Sequence, residues 1–263
     1  MELGASARAE SYRLIVRDSV GSTNEDAMQL AREGDPGRLW VVAREQLQGR
    51  GRRGRTWSSP PGNLYASLLL IDAAPSEHLP ELGFVASVAL LNGLRAILGD
   101  DPRLGLKWPN DILFDGAKLS GILLESSSLP SGATACVAGF GVNCRSHPPN
   151  LPYAATDLAA IGTLLDTPED VFLRLSDAMS HALQVWSRGA GFPDIRARWL
   201  ADAVGLGSPI RVALGTSSLA GTFETIDARG RLILRDGEAT RVIEAGDVFL
   251  SSRARAAVAV ASA

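Results

Sequence analysis

The chain has 263 residues, of which 46% are hydrophobic and 21% charged, a composition that folds around a full-sized core in water. Its 26 basic and 29 acidic residues sum to −3, which argues against a general binder of nucleic acid or of membrane surfaces. Only two cysteines, Cys136 and Cys144, are present, so a disulfide framework is excluded and a reducing compartment expected; His78, His147 and His181 pair with no cysteine at zinc-ligand spacing.

The first residues include an acid and lack an apolar signal region, and no apolar run reaches the roughly 18 residues of a membrane span. The protein is therefore expected to be cytoplasmic, with no membrane partner. No helix is predicted before Tyr12. Tyr12–Arg17 reads as a strand. Ser22 and Glu25 stand at capping-box spacing ahead of a helix that stops at Gly34. Leu39–Arg44 is a strand, Gly49–Trp57 a glycine- and arginine-rich loop, and Asn63–Ile71 a buried strand. Pro80 opens a long apolar helix ending near Gly99. Leu104–Trp108, Ile112–Phe114, Leu119–Glu125 and Ala133–Phe140 read as strands, with Asp115-Gly116 as a hairpin turn. Thr167-Pro168-Glu169 starts a helix to Trp186, and another spans Ile195–Ala203. Strands and helices do not alternate strictly, so an α+β sheet is expected. From Gly205 onward no helical pattern occurs. Ile210–Leu214, Leu219–Ile226, Leu232–Leu234 and Thr240–Glu244 belong to a set of short strands that suggests a small barrel. The apolar tail from Ala256 is expected to fray.

Chemistry concentrates in three stretches. Between Gly49 and Trp57, four arginines (Arg50, Arg52, Arg53, Arg55) interleave with three glycines. Their mutual repulsion and the entropy of ordering the loop predict that it orders only against an anion. On residues alone it fits closure over a phosphate or nucleotide, contact with RNA, or a solvated surface. The second stretch is Lys107-Trp108-Pro109-Asn110-Asp111 with Lys118-Leu119-Ser120-Gly121. Lys107 and Lys118 are the only lysines, in a chain with arginine at its other 24 basic positions. Coding bias alone would have replaced them, so a compact ammonium at these places suggests function. Strand alternation could aim both into one cleft, and Asp111 could hold a metal or a lysine. The alternative is a surface hairpin with a Lys–Asp pair worth about 0–1 kcal/mol. The third stretch, Gly139-Phe140-Gly141-Val142-Asn143, fits close backbone approach to a ligand, or a bulged strand, but fails the dinucleotide fingerprint at Cys144. No phosphate loop of the GxxxxGK[ST] type exists.

Together with Ser22-Thr23-Asn24 and Gln46, these stretches resemble biotin–protein ligases in order and spacing across residues 12 to 250. The resemblance implies an α+β catalytic domain akin to class II aminoacyl-tRNA synthetases over 1–204, with a mixed sheet, and a small SH3-like β-barrel over 205–255. It implies a two-step reaction in which biotin and ATP, with Mg²⁺, give biotinyl-5′-AMP and pyrophosphate. Biotin then passes to a lysine of a biotin carboxyl carrier domain, that of acetyl-CoA carboxylase or a related enzyme. It assigns Ser22, Thr23, Asn24, Gln46, Gly49, Arg50, Gly51, Arg52, Lys118 and Gly121 to biotin, with helix capping as the alternative for Asn24. Arg50, Arg52, Arg53, Arg55, Trp57, Lys107, Asn110, Lys118 and Asn143 go to ATP and the adenylate, Trp57 stacking near adenine. Lys118, Arg52, Lys107 and Asp111 are the catalytic set; no metal-ligand set is implied. Some members carry an N-terminal DNA-binding domain; 21 residues before Ser22 are too few for one, so a monofunctional ligase without DNA binding is expected. A homodimer is compatible with the sequence. Two alternatives remain: a lipoate or octanoate ligase of the same fold, and an RNA-binding module built on the arginine loop.

Overall fold

Residues 1–164, 167–215 and 217–250 are described by the computed structural model. A short helix, α1 (Ala5–Ala9), occurs where the sequence predicts none, because its first amides have a distant partner: Ser6 N and Ala7 N donate to Asp177 Oδ1 at 2.7 and 3.2 Å. Strand β1 (Arg13–Val20) leads to α2 (Thr23–Arg32), β2 (Leu39–Gln46) and β3 (Leu64–Ile71). Ser22 stands at the N-cap of α2, but its side chain makes no capping bond, so the predicted capping box is not formed. Pro80 lies in a 3₁₀ turn (Ser76–Glu81) ahead of α3 (Leu82–Leu98) rather than at the first position of the helix.

Strands β4 (Leu104–Lys107), β5 (Asp111–Phe114), β6 (Ala117–Ser128) and β7 (Thr134–Val142) follow. The β5–β6 turn is the expected Asp115-Gly116, with φ of 49° and 72°, a left-handed pair that suits a tight hairpin. A single turn, α4 (Leu158–Ile161), precedes α5 (Pro168–Trp186). Helix α5 starts as predicted, with Pro168 in its first turn and Thr167 Oγ1 accepting from Asp170 N. Helix α6 (Phe192–Ala201) starts three residues earlier than its pattern suggests.

The first seven strands form one mixed sheet in the order β1-β2-β3-β7-β6-β5-β4, with only β1 and β2 parallel. Alternation buries both faces. Leu39, Val41, Leu69 and Val137 pack under Ala27, Met28 and Ala31 of α2. Trp40, Val42, Leu68 and Phe140 belong to the larger core that α3, α5 and α6 join from the other side. The stretch Ser76–Leu98 is long and apolar enough to cross a membrane, contrary to the sequence reading, yet 67% of its apolar window is buried inside the protein, as a core helix requires.

Beyond a run of turns at residues 202–208 lie β8 (Pro209–Leu214), β9 (Ser217–Ile226), β10 (Leu232–Asp236), β11 (Ala239–Ile243) and β12 (Asp247–Leu250). They form a five-stranded antiparallel sheet in the order β11-β10-β9-β8-β12, with no pairing between β11 and β12 among the described residues. This sheet leans on the larger unit. Trp108 is 2% exposed and donates through Nε1 to Gly230 O at 3.0 Å, and Arg196 Nε donates to Ile226 O at 2.8 Å. The tail from Ala256 lies outside the described residues.

Candidate active site

A cavity of about 370 Å³ opens where the N-terminus of α2, the end of β2, the arginine loop, strands β5 to β7 and β12 converge. At one end, polar side chains are locked to each other. Thr23 N and Oγ1 both donate to Gln46 Oε1, at 2.9 and 3.0 Å, and Gln46 Nε2 donates to Ser59 Oγ at 2.9 Å. Ser67 Oγ lies 2.8 Å from Thr23 Oγ1 and 2.6 Å from Asn24 Oδ1. Asn24 Nδ2 donates to Leu123 O and Glu125 Oε2. Asn24 is thus neither a helix cap nor a free ligand group: its amide is spent on holding this end rigid. Ser22 is 4% exposed, lines the cavity, and is the member of the triplet whose hydroxyl is not spent in this network.

The middle of the cavity is built on glycines. Gly121 and Gly141 sit directly opposite each other on β6 and β7. A Cβ on Gly141 would lie 2.5 Å from Trp57 Cε2, and one on Gly121 3.1 Å from Trp57 Cζ3. The bare backbone therefore makes a flat seat for the indole, whose Nε1 is buried without a hydrogen-bond partner among the described residues. Gly139 serves Asn24 in the same way, its Cβ position being 2.1 Å from Asn24 Oδ1.

Both lysines converge, as alternation suggested. Lys118 Nζ lies 2.6 Å from Asp111 Oδ1 and Lys107 Nζ 3.3 Å from Asp111 Oδ2. Burial alone would push the Asp111 carboxyl up, but the ammonium groups of Lys118 and Lys107 hold it below its ordinary value. Lys118 Nζ also stands 5.3 Å from the Trp57 ring and 5.7 Å from that of Tyr153. No cluster of three or more metal-ligating His, Cys, Asp or Glu side chains occurs among the described residues, and Asp111 is engaged by the two lysines.

The arginine loop meets anionic and carbonyl partners supplied by the chain itself. Arg53 and Arg55 both pair with Asp247 of β12, Arg53 at 3.1 Å, and Arg50 Nη2 lies 3.7 Å from Glu125. Arg52 Nη1 reaches Asn110 Oδ1 at 3.3 Å and Gly246 O at 3.4 Å. The countercharges come from the chain itself, from residues far away in sequence. Cationic side chains still dominate the wall: Arg50, Arg52, Arg55, Lys107 and Lys118 against Asp111 and Asp247. In a protein of net charge −3 this focuses positive potential on one cleft and favours a polyanionic ligand.

The cavity wall brings together Ser22, Thr23, Asn24, Gln46, Arg50, Gly51, Arg52, Arg55, Trp57, Lys107, Asn110, Asp111, Lys118 and Gly121. Three expected residues stand outside it. Gly49 packs behind the loop, where a Cβ would lie 2.4 Å from Trp57 O and Ser59 Oγ. Arg53, at a left-handed φ of 58°, pairs with Asp247 without itself lining the cavity. Asn143 is 5% exposed, and its Nδ2 donates to Thr156 O at 3.0 Å, outside the cavity lining. Sequence reasoning missed Asp247, Tyr153 and Ser67. Asp247 has no local signature, since its partners lie 192 and 194 residues away. Tyr153 carried one usable signal, an aromatic beside Pro152 in a chain with only three tyrosines.

The chain is similar to known proteins over most of its length. Residues 18–143 match the biotin/lipoate A/B protein ligase family, and residues 205–251 match the biotin protein ligase C-terminal domain. The biotin–[acetyl-CoA-carboxylase] ligase of Paracoccus denitrificans is 41% identical over 237 residues, covering 87% of this chain and 96% of the relative. The enzyme of the same name from Mycobacterium tuberculosis is 33% identical, covering 90% and 88%. The biotin protein ligase of Aquifex aeolicus solved with biotin and ATP superposes with a TM-score of 0.74 at 27% identity, over 91% of this chain and 98% of that one.

Proposed function

The chain belongs to the biotin protein ligase family, and from that membership we propose that its cleft activates biotin with ATP and transfers it to a lysine of a biotin carboxyl carrier domain. The observation that supports this most directly is the union, in one cavity, of a preorganised polar end and five cationic side chains. In the first step a biotin carboxylate oxygen attacks the α-phosphorus of ATP. The bond to the bridging oxygen breaks, pyrophosphate leaves, and biotinyl-5′-AMP remains. In the second, the acceptor amine attacks the acyl carbon, AMP leaves, and the amine loses a proton. Acceptor, partner and site assignments belong to this proposal, as does a division into a catalytic unit (1–204) and a smaller one (205–255), whose last five residues lie outside the described ones.

Each group has a physical task. The Ser22 hydroxyl supplies a free polar contact to the ureido head, against Thr23 and Gln46 that cannot rearrange. Lys118 bridges the biotin carboxylate and the α-phosphate, two anions that repel each other unless a cation stands between them. Arg52 and Arg55 neutralise phosphate charge, while Asn110, its amide engaged with Arg52 and Ile122 O, supports the loop rather than the nucleotide. Asp111 offsets the two ammonium groups while the cleft is empty. Mg²⁺ would be held chiefly by the nucleotide's own phosphates, whose charge it would shield, with Asp111 and Asp247 the carboxylates that the cleft wall offers among the described residues.

Biotin-dependent ATP–pyrophosphate exchange tests the reading. Exchange is expected with biotin and not with lipoate or octanoate; equal exchange with lipoate, or none with biotin, overturns it. A second expected outcome concerns retention. Arg52→Gly removes the bonds from the loop to Asn110 and Gly246, so the activated acyl group should escape and label unrelated proteins. Labelling that stays confined to the acceptor domain would remove Arg52 from that role.

A further inference from the structure

The main chain of Lys118 pairs with Leu113 of β5 on one side but lies beyond the reach of β7 on the other. Strand β7 stops pairing with β6 at Ser120↔Val142, and on the other side a bulge between Ile112 and Leu113 breaks the regular ladder. A short strap takes the place of β7. Ala155 bridges Lys118 in parallel, Lys118 N donates to Ala154 O at 2.8 Å, and Thr156 N donates to Lys118 O at 3.0 Å. Where the strap sits decides where the Lys118 side chain begins.

The strap is tied at a neck outside the cavity. Asp157 is 5% exposed; its Oδ1 accepts from Ala160 N at 2.7 Å, and its Oδ2 lies 2.6 Å from His147 Nδ1. His147 follows a stretch that Asn63 gathers: Asn63 Oδ1 accepts from Cys144 N, Arg145 N and Ser146 N at 2.8, 2.9 and 3.2 Å. The His147–Asp157 contact therefore closes the loop between these two residues at its base, with Tyr153 at its far side in the cavity wall. Neither His147 nor Asp157 lines the cavity.

We propose that His147 and Asp157 are positioning residues for adenylate formation, holding the strap that sets Lys118 in register with Asp111. This rests on the function proposed above. The bond between them shortens a loop that otherwise explores many conformations, and the gain passes through Thr156 and Ala155 to the Lys118 backbone. Binding of the biotin head, at the opposite end of the cavity, does not depend on it.

His147→Ala leaves the α4 cap intact and should lower kcat for pyrophosphate exchange about tenfold, with KM for biotin within about twofold. Asp157→Ser keeps a capping oxygen but is too short for His147, and should behave alike. Asp157→Asn keeps the cap and offers Nδ2 to His147 Nδ1 in its other tautomer, so it should recover to within about threefold of wild type. In the unliganded His147→Ala protein, amide hydrogen exchange over residues 117–120 and 154–156 should accelerate. Wild-type kcat and wild-type amide exchange in His147→Ala overturn the proposal. So does a loss shared equally by kcat and KM, the mark of a generally loosened fold. Wild-type protein without biotin-dependent exchange would instead refute the function, while amide exchange would still read the strap.

Discussion

Lys118→Arg should fold and yet lose about 10²–10³ of biotin-dependent pyrophosphate exchange, the range found when one preorganised charge contact leaves a desolvated site. Lys118 Nζ occupies a narrow place, 2.6 Å from Asp111 Oδ1 and 5.3 Å from the Trp57 ring, over the backbone of Gly121. An ammonium is compact and can share itself between a carboxylate and an α-phosphate as the new bond forms. A guanidinium is planar, larger, and prefers one bidentate partner, and Asp111 is already there to take it. Lys118 does not stand on an open surface. Its side chain is only 18% exposed, so the larger head must also be fitted into a filled space, at a cost of about 1–3 kcal/mol. Melting should therefore shift modestly while exchange collapses. Exchange within about threefold of wild type would show that Lys118 carries no special role.

Asp111→Ala should be the most destabilising single change in the cleft. The carboxyl is 13% exposed and compensates two ammonium groups. Breaking a buried pair from one side costs about 3–5 kcal/mol, because the remaining charges stay without a partner. In a domain of this size that corresponds to a fall in melting temperature of about 6–20 °C. The effect is pH-dependent with a definite sign. Lys118 and Lys107 hold the folded-state carboxyl below its unfolded value, so its contribution is complete above about pH 4 and disappears as the pH falls through the folded value. Wild type and variant should accordingly differ most near neutrality and converge in acid. Thermal melts over a pH series check this; equal melting temperatures at neutral pH would show that the triad contributes nothing to stability.

Local physics made much of the fold legible. Thr167-Pro168 caps and starts α5, Asp115-Gly116 turns β5 into β6, and the continuous apolar run from Leu39 to Val42 suits a strand that is buried on both faces. Each rests on neighbours within a few residues, which a sequence states directly. The same holds for the recognition motifs. Glycine at 121, 139 and 141, and lysine at 107 and 118 in an arginine-rich chain, are choices that only contact or chemistry explains, and all five line the cavity.

Tertiary structure decided what those motifs touch. Ser22 and Glu25 have capping-box spacing, but no capping bond forms, and Asn24 is instead held by Ser67 and Glu125, 43 and 101 residues away. Asn143 belongs to a ligand-like motif, yet it braces the strap because β7 ends one residue before it. The arginine loop reads as a run of unpaired charge until β12 brings Asp247 to it. Residue type and spacing thus determined which side chains the protein reserves for its cleft. Their partners, and with them charge balance and rigidity, were decided by pairings across the sheets, which arise only when distant strands meet.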